Sequence, residues 1–436
     1  MPSLCSAVLS RSLAAAGAST QWLALARQSL FCVRQPRKID PAAFLLGVCL
    51  WAAQPLPSLR RAATFIGLSI GDTVSKQNIA KRFGRPAICF VRAALGRVLR
   101  RLAERAHRVA PGALVRFKRV LVQDSTTVGL PPNLAAQFPG NANQQARCVA
   151  LMKIQCLYDL LAAQFVAWDL TSFRVNDQKA AAGILAVAQP DDLVIRDLGY
   201  FSLAALQQMI ERGIFFLSRL WQGVCLRTAS GQPLDLLGAL QRDGWLDLPV
   251  RLTDRYELPV RLVALPVSDA VANRRRRLAR QNRDRRSPAS AKRLALMGWD
   301  IFITNVPDTV WSTAMVCQVY GLRWRIEIVF KAAKSYFRLE TVPPRVSAIE
   351  VEMLIWARLL LISLWQSWLP ASQPEKQYPA LSLLKTAEFF NLFWPLLLLK
   401  GLGSDLPQLW YDQVNYHGRY EKRRRLNFVQ KMQILG

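Results

Sequence analysis

Two short apolar runs, at residues 120–123 and 193–196, constrain the fold more than any other feature of the chain. Each is too short for a helix and rich in Val, Leu or Ile, so each reads as a buried strand. The first leads into Asp124, within Val122-Gln123-Asp124-Ser125-Thr126. The second leads into Asp197, within Arg196-Asp197-Leu198-Gly199-Tyr200-Phe201. Residues 148–158 and 165–170 read as two more strands, the latter alternating Phe165, Ala167 and Asp169 against Val166, Trp168 and Leu170. Helices are expected at 178–188 and 203–212, strands from 214 and at 299–306, and one long helix at 311–337. That order is an α/β fold. Strand-like runs at 248–252 and 258–265 fall in the interruption between its halves.

Five regions follow. Residues 1–112 read as helical, with many Ala, Leu and Arg. Ser75 caps an expected helix at 76–83, and Gly84-Arg85-Pro86 breaks it, with Pro86 placed to start the next. That is the outline of a helix-turn-helix. Arg97, Arg101, Arg105 and Arg108 then form one basic stripe, suited to DNA phosphates or simply to solvent. Residues 113–221 and 299–345 hold the two halves of the core, and 222–298 the insertion. Residues 346–436 read as helical, with dimerisation as their candidate role. Apolar stretches at 353–369 and 391–399 are broken by Arg358, Gln366 and Pro395, so they read as buried helices and not as membrane spans.

Charge bears on partners. Lys and Arg number 58 against 29 Asp and Glu, a formal net charge of +29 over 436 residues. Such an imbalance points to nucleic acid or an anionic membrane surface. Residues 273–293 are especially basic, and read as a disordered surface loop or as a mobile loop that orders on a DNA backbone. A weaker basic group lies at Arg419 and residues 422–425. The eight cysteines form no C-x-x-C pair and there are two histidines, so a zinc site is not expected; scattered cysteines suit a reducing, cytoplasmic setting.

Strand ends in an α/β sheet open onto a shared crevice, so Asp124 and Asp197 can converge there. Taken singly, each also reads as a cap or turn residue. On the later helix, Tyr320, Arg323, Glu327 and Lys334 fall within an arc of about 60°, with Lys331 beside it. This face joins an acid to cations and a phenol. It reads either as a salt-bridged solvent face or as a metal ligand with phosphate-gripping neighbours. Three carboxylates supply hard oxygen ligands for two divalent ions, which suits attack on a phosphodiester.

Tyr320-x2-Arg323-x3-Glu327-x6-Lys334 resembles the Y-R-E-K signature of bacterial insertion-sequence transposases with a DDE triad. The segments around Asp124 and Asp197, and Trp299-Asp300-Ile301-Phe302-Ile303-Thr304-Asn305-Val306-Pro307, are similar to that group as well; the likeness runs in order over roughly residues 58–340. The resemblance implies a ribonuclease-H-like core with a mostly β insertion between the second Asp and the Glu. It implies Asp124, Asp197 and Glu327 as catalytic metal ligands for Mg²⁺, with Mn²⁺ able to substitute. Tyr320, Arg323, Lys331 and Lys334 become DNA-binding residues. It also implies a homodimer that binds the double-stranded inverted repeats of its element and target DNA, then cuts and pastes. Some members stack an insertion aromatic on a flipped base; Trp221 and Trp245 are candidates for that or for the core. A non-catalytic DNA-binding regulator and a nuclease on the same core are the alternatives.

Overall fold

The computed structural model describes residues 19–36, 38–106, 110–142, 148–253, 257–281, 290–366, 381–399, 416–420 and 426–436. Arg108, residues 282–289 of the basic run and residues 422–425 lie outside them. In chain order the strands are β1 (Val120–Leu130), β2 (Pro139–Ala142), β3 (Cys148–Asp159), β4 (Gln164–Ser172), β5 (Leu193–Arg196), β6 (Phe215–Arg219), β7 (Cys225–Thr228), β8 (Leu246–Thr253), β9 (Glu257–Pro266) and β10 (Trp299–Thr304). The chain forms two compact units. One is drawn from Met1–Val109, Ser125–Val175 and Arg325–Val429, the other from Ala110–Asp124, Asn176–Trp324 and Gln430–Gly436.

The second unit is a mixed α/β fold on a large sheet. Residues Val120, Leu121, Val122 and Gln123 of β1 pair in parallel with Leu193, Val194, Ile195 and Arg196 of β5, and β5 pairs in parallel with β6. These strands are buried on both faces, which is why they read as continuous apolar runs. β10 runs antiparallel to β6 on one edge and to β9 on the other, and β8 and β7 continue outward. The strands of the insertion therefore extend the core's own sheet. β9 alternates buried Leu258, Val260 and Leu262 with more exposed neighbours, so it covers the open edge of β10 with its apolar face inward. The insertion also holds the helices Leu236–Asp243, Asp269–Gln281 and Ala291–Leu296, so it is mixed in character.

Three local expectations need revision. β1 does not stop at Asp124 but runs on to Leu130; only its pairing with β5 stops, at Gln123 and Arg196. The helix expected at 178–188 is one α turn, Asp177–Ala180, followed by a 3-10 stretch, Ala181–Ala186; Gly183 weakens the helical alternative. The long helix at 311–337 is two helices, Thr313–Tyr320 and Trp324–Ser335, joined by a 3-10 turn at Gly321–Arg323. A tighter turn there changes the angular spacing that an unbroken α-helix would give Tyr320 and Arg323.

In the first unit β3 pairs antiparallel with β2 and β4. The Ser75 side chain accepts from Asn78 N at the start of Lys76–Arg82, and Pro86 sits in the first turn of Arg85–Glu104, as the sequence indicates. Arg97 bonds Gln21 and Arg101 bonds Glu104, so these arginines of the expected basic stripe have partners within the protein. The Pro41–Ala52 and Leu59–Ile70 helices cross closely at Gly47, where a Cβ would lie 2.6 Å from Ile66 Cα. The Ala348–Gln366 helix packs against Arg85–Glu104 and Pro41–Ala52 and is buried along most of its length. Its Arg358 donates to Ala52 O at 3.1 Å and Thr341 O at 2.7 Å, which lets a cation sit in an apolar helix. Among the described residues no helix is long and apolar enough to cross a membrane.

Candidate active site

Asp124 lies just past the last β1–β5 pair, and Asp197 follows β5 and opens the 3-10 turn Leu198–Tyr200. Parallel pairing in this register puts the two aspartates at the same level of adjacent strands. The link between them is Arg323, from the 3-10 turn after Thr313–Tyr320. Its Nη1 lies 3.1 Å from Asp124 Oδ2 and its Nε 4.0 Å from Asp197 Oδ1. Tyr320, one turn earlier, donates its hydroxyl to Asp197 Oδ1 at 3.4 Å. Burial, reinforced by the Asp197 charge, raises the Tyr320 hydroxyl to about 12, so near neutral pH it keeps its proton and acts as a donor.

Sequence reasoning missed Arg219. Its guanidinium stands 5.4 Å from the Tyr320 ring centroid, and it pairs with Asp300 at 3.0 Å; Arg275 pairs with the same carboxylate at 2.8 Å. Phe302 packs on Tyr320, with ring centroids 4.8 Å apart. Tyr320 is thus held by β6 and β10 from below. Nothing local to residue 219 signals this, because its partners come from strands far along the chain.

Glu327 occupies the first turn of Trp324–Ser335. On the same helix Lys331 is exposed, and Lys334 pairs with Glu340 at 2.5 Å. Trp221 and Trp245 are 51% and 53% exposed, so neither is a core residue. Among the described residues, no group of three His, Cys, Asp or Glu side chains stands close enough together to hold a metal ion. Asp124 and Asp197 nevertheless share one cationic neighbour, the Arg323 guanidinium, and offer it hard carboxylate oxygens. That is the donor chemistry Mg²⁺ or Mn²⁺ takes.

The helix face also has a back. By helical spacing Arg325 lies about 160° from Glu327, so its loss is expected to be milder than that of Lys334. Instead it donates to Tyr420 Oη at 2.6 Å, stands 4.4 Å from the Phe428 ring centroid, and puts its charge toward the buried Tyr158. Arg325→Ala is therefore expected to cost about 2–4 kcal/mol, from a charged hydrogen bond and a partly desolvated cation–π contact. Lys334→Ala, which loses an ion pair with exposed Glu340, should cost no more than about 1 kcal/mol. Denaturant midpoints of the two variants check this; equal midpoints would mean that the aromatic cage contributes nothing.

A family model described as Transposase DDE domain matches residues 116–364. The transposase for insertion sequence element IS231F of Bacillus thuringiensis subsp. israelensis is 28% identical over 367 residues, 79% of this chain and 76% of that protein. The IS1151 transposase of Clostridium perfringens is 25% identical over 329 residues, 70% and 68% of the two chains. The putative transposase InsL for IS186A of Escherichia coli (strain K12) is 26% identical over 318 residues, 70% and 79%. A chain of the piggyBac transposase synaptic complex with hairpin DNA aligns over 90% of this chain and 79% of its own at 10% identity, with a TM-score of 0.42, too low for any inference. The family model takes in both strand-borne aspartates, the Tyr320–Arg323 turn that meets them, and more than half of the chain: the protein belongs to the DDE-domain transposase family and is an enzyme acting on DNA.

Proposed function

We propose that this transposase binds the inverted-repeat ends of its own element as a homodimer in the bacterial cytoplasm, and cuts and rejoins DNA phosphodiesters there. The observation that carries the reading is the pair Asp124 and Asp197, just past the end of the parallel β1–β5 pairing and gathered around one cationic group. The parallel β1–β5–β6 strands and the antiparallel β3–β4 pair are the strand types that a ribonuclease-H-like core combines. Asp124, Asp197 and Glu327 would hold two divalent ions, Mg²⁺ or Mn²⁺. When bound, such ions activate the attacking oxygen and stabilise the departing one. The chain's own residues do the rest. Tyr320 orients Asp197 through its hydroxyl. Arg323 neutralises the aspartates, and with Lys331 and Lys334 it supplies the cations that grip phosphates beside the cut. Trp221 and Trp245 present exposed rings on which a displaced base can stack.

The Asp269–Gln281 helix provides a second DNA-facing surface. Its arginines divide by role. Arg275 bonds Asp300 and the Trp299 carbonyl, and Arg276 bonds the Leu294 carbonyl, anchoring the helix to its own unit. Arg274, Arg277 and Arg280 are exposed. Of the basic run expected as a loop, residues 273–281 belong to this ordered helix, with some of their cations committed inward.

The test is strand transfer with purified protein, Mg²⁺ and DNA carrying the element's inverted repeats. The reading expects metal-dependent nicking at the repeat ends and joining of those ends to target DNA. Nicking without joining would make the protein a nuclease on this core. Binding without either would make it a regulator.

A further inference from the structure

Gln123 and Arg196 immediately precede Asp124 and Asp197, and they are register partners on β1 and β5. Successive residues on a strand face opposite sides, so this pair lies side by side on the face turned away from the aspartates. Both are buried, Gln123 at 5% exposure and Arg196 at 0%. Gln123 Nε2 donates to Ala180 O at 3.2 Å, and Arg196 Nη2 donates to Ala181 O. Two consecutive carbonyls thus hold the last paired residue of each strand. They sit where the Asp177–Ala180 turn becomes the Ala181–Ala186 3-10 stretch. The loop after Asp197 rests on the same segment. A Cβ on Gly199 would lie 3.4 Å from Asp177 Oδ2, and Tyr200 packs with Ala181 and Ala205 in one buried cluster.

Stability alone does not select these side chains. Gln123 Oε1 and Arg196 Nε and Nη1 make no hydrogen bond among the described residues. Buried polar groups left open are destabilising, and an apolar residue of similar volume does better. Costs of this kind persist where function depends on them.

We propose that Gln123 and Arg196 are positioning residues that set the spacing of Asp124 and Asp197 by tying both strands to the carbonyls of Ala180 and Ala181. The inference rests on the reading of those aspartates as the metal-holding pair. Ligand geometry must hold to about 0.5 Å for a site to work, and Mg²⁺ is intolerant of distorted ligands. A side chain on each strand, fixed to neighbouring backbone atoms of one turn, supplies that constraint from behind the site without touching the metal or the DNA.

The experiment uses the full chain bound to element-end DNA. Wild type, Gln123→Leu, Arg196→Met, the double variant and Asp124→Asn are compared by melting temperature, by calorimetric Mn²⁺ titration of the complex, and by the Mg²⁺ concentration that gives half-maximal nicking. Arg196→Met should melt at or above the wild-type temperature while Mn²⁺ affinity falls and the Mg²⁺ requirement rises, each by about tenfold or more. The double variant should match the weaker single within about threefold, because both contacts act on one turn. If Arg196→Met does not fold, Gln123→Leu carries the same expectation. Mn²⁺ affinity and Mg²⁺ requirement within about twofold of wild type in the folded single variants overturn the proposal. So does a loss of Mn²⁺ affinity only in step with a lower melting temperature. Wild-type Mn²⁺ binding and nicking by Asp124→Asn would instead overturn the metal reading itself, whatever the other variants do.

Discussion

Asp124→Asn, Asp197→Asn and Glu327→Gln should each lower nicking of element-end DNA by about 10³-fold or more, with binding of that DNA retained. The amide keeps the shape of the acid but removes the anionic oxygen that a divalent ion needs. A 10³-fold loss corresponds to about 4 kcal/mol of transition-state stabilisation, a size that one lost metal ligand can account for. The aspartates carry a second expectation. Asp124 is the closer partner of Arg323, at 3.1 Å, and its side chain is only 17% exposed. Asp124→Asn leaves that guanidinium with the more distant Asp197 at 4.0 Å, so the variant should also lose about 1–2 kcal/mol of stability. Asp197, at 46% exposure, should give a smaller loss. Nicking rates and melting temperatures together decide the matter. A variant that nicks at the wild-type rate takes its residue out of the site, and a loss of rate that merely tracks unfolding makes that residue structural.

The second large effect is on DNA affinity. Each phosphate that a Lys or Arg neutralises releases a counterion, so affinity should fall by roughly 10³ or more between about 50 and 200 mM salt. The fold narrows which residues carry the slope. Arg274, Arg277 and Arg280 lie exposed along about 9 Å of one helix. Replacing the three with Ala should reduce the slope of log affinity against log salt by about 2–3. Arg275→Ala is the informative contrast. Arg275 is committed to Asp300 and the Trp299 carbonyl, so its loss should lower stability and leave the slope nearly unchanged. Fluorescence anisotropy across a salt series measures both variants. A flat response of the wild type would remove DNA as the partner of this charge. Equal slopes for the triple variant and wild type would move the contacts off this helix.

Much of the site can be read directly from the sequence. Short aliphatic runs before Asp124 and Asp197 specify strands because period and composition act within a few residues. The Ser75 cap and the Pro86 helix start are equally local, and the structure holds both where expected. Strands β1, β3, β4, β5, β6, β8, β9 and β10 followed from the same signals, whereas β2, β7 and the helices Leu236–Asp243 and Asp269–Gln281 did not. The chain itself thus determined which segments become strands and where the acids fall along them. Tertiary structure decided the partners. Arg323 meets Asp124 across 199 positions of sequence and Arg325 meets Tyr420 across 95, and no periodic pattern encodes such pairs. It decided that the β1–β5 ladder ends at Gln123 while β1 itself continues, and that β7, β8 and β9 extend the core's own sheet. It also divided chemically identical arginines into a buried pin beneath the aspartates, a caged cation behind the Glu327 helix and an exposed basic face. Local sequence sets a residue's backbone and its charge, but how far that charge is desolvated, and by which neighbours, depends on what the rest of the chain brings beside it.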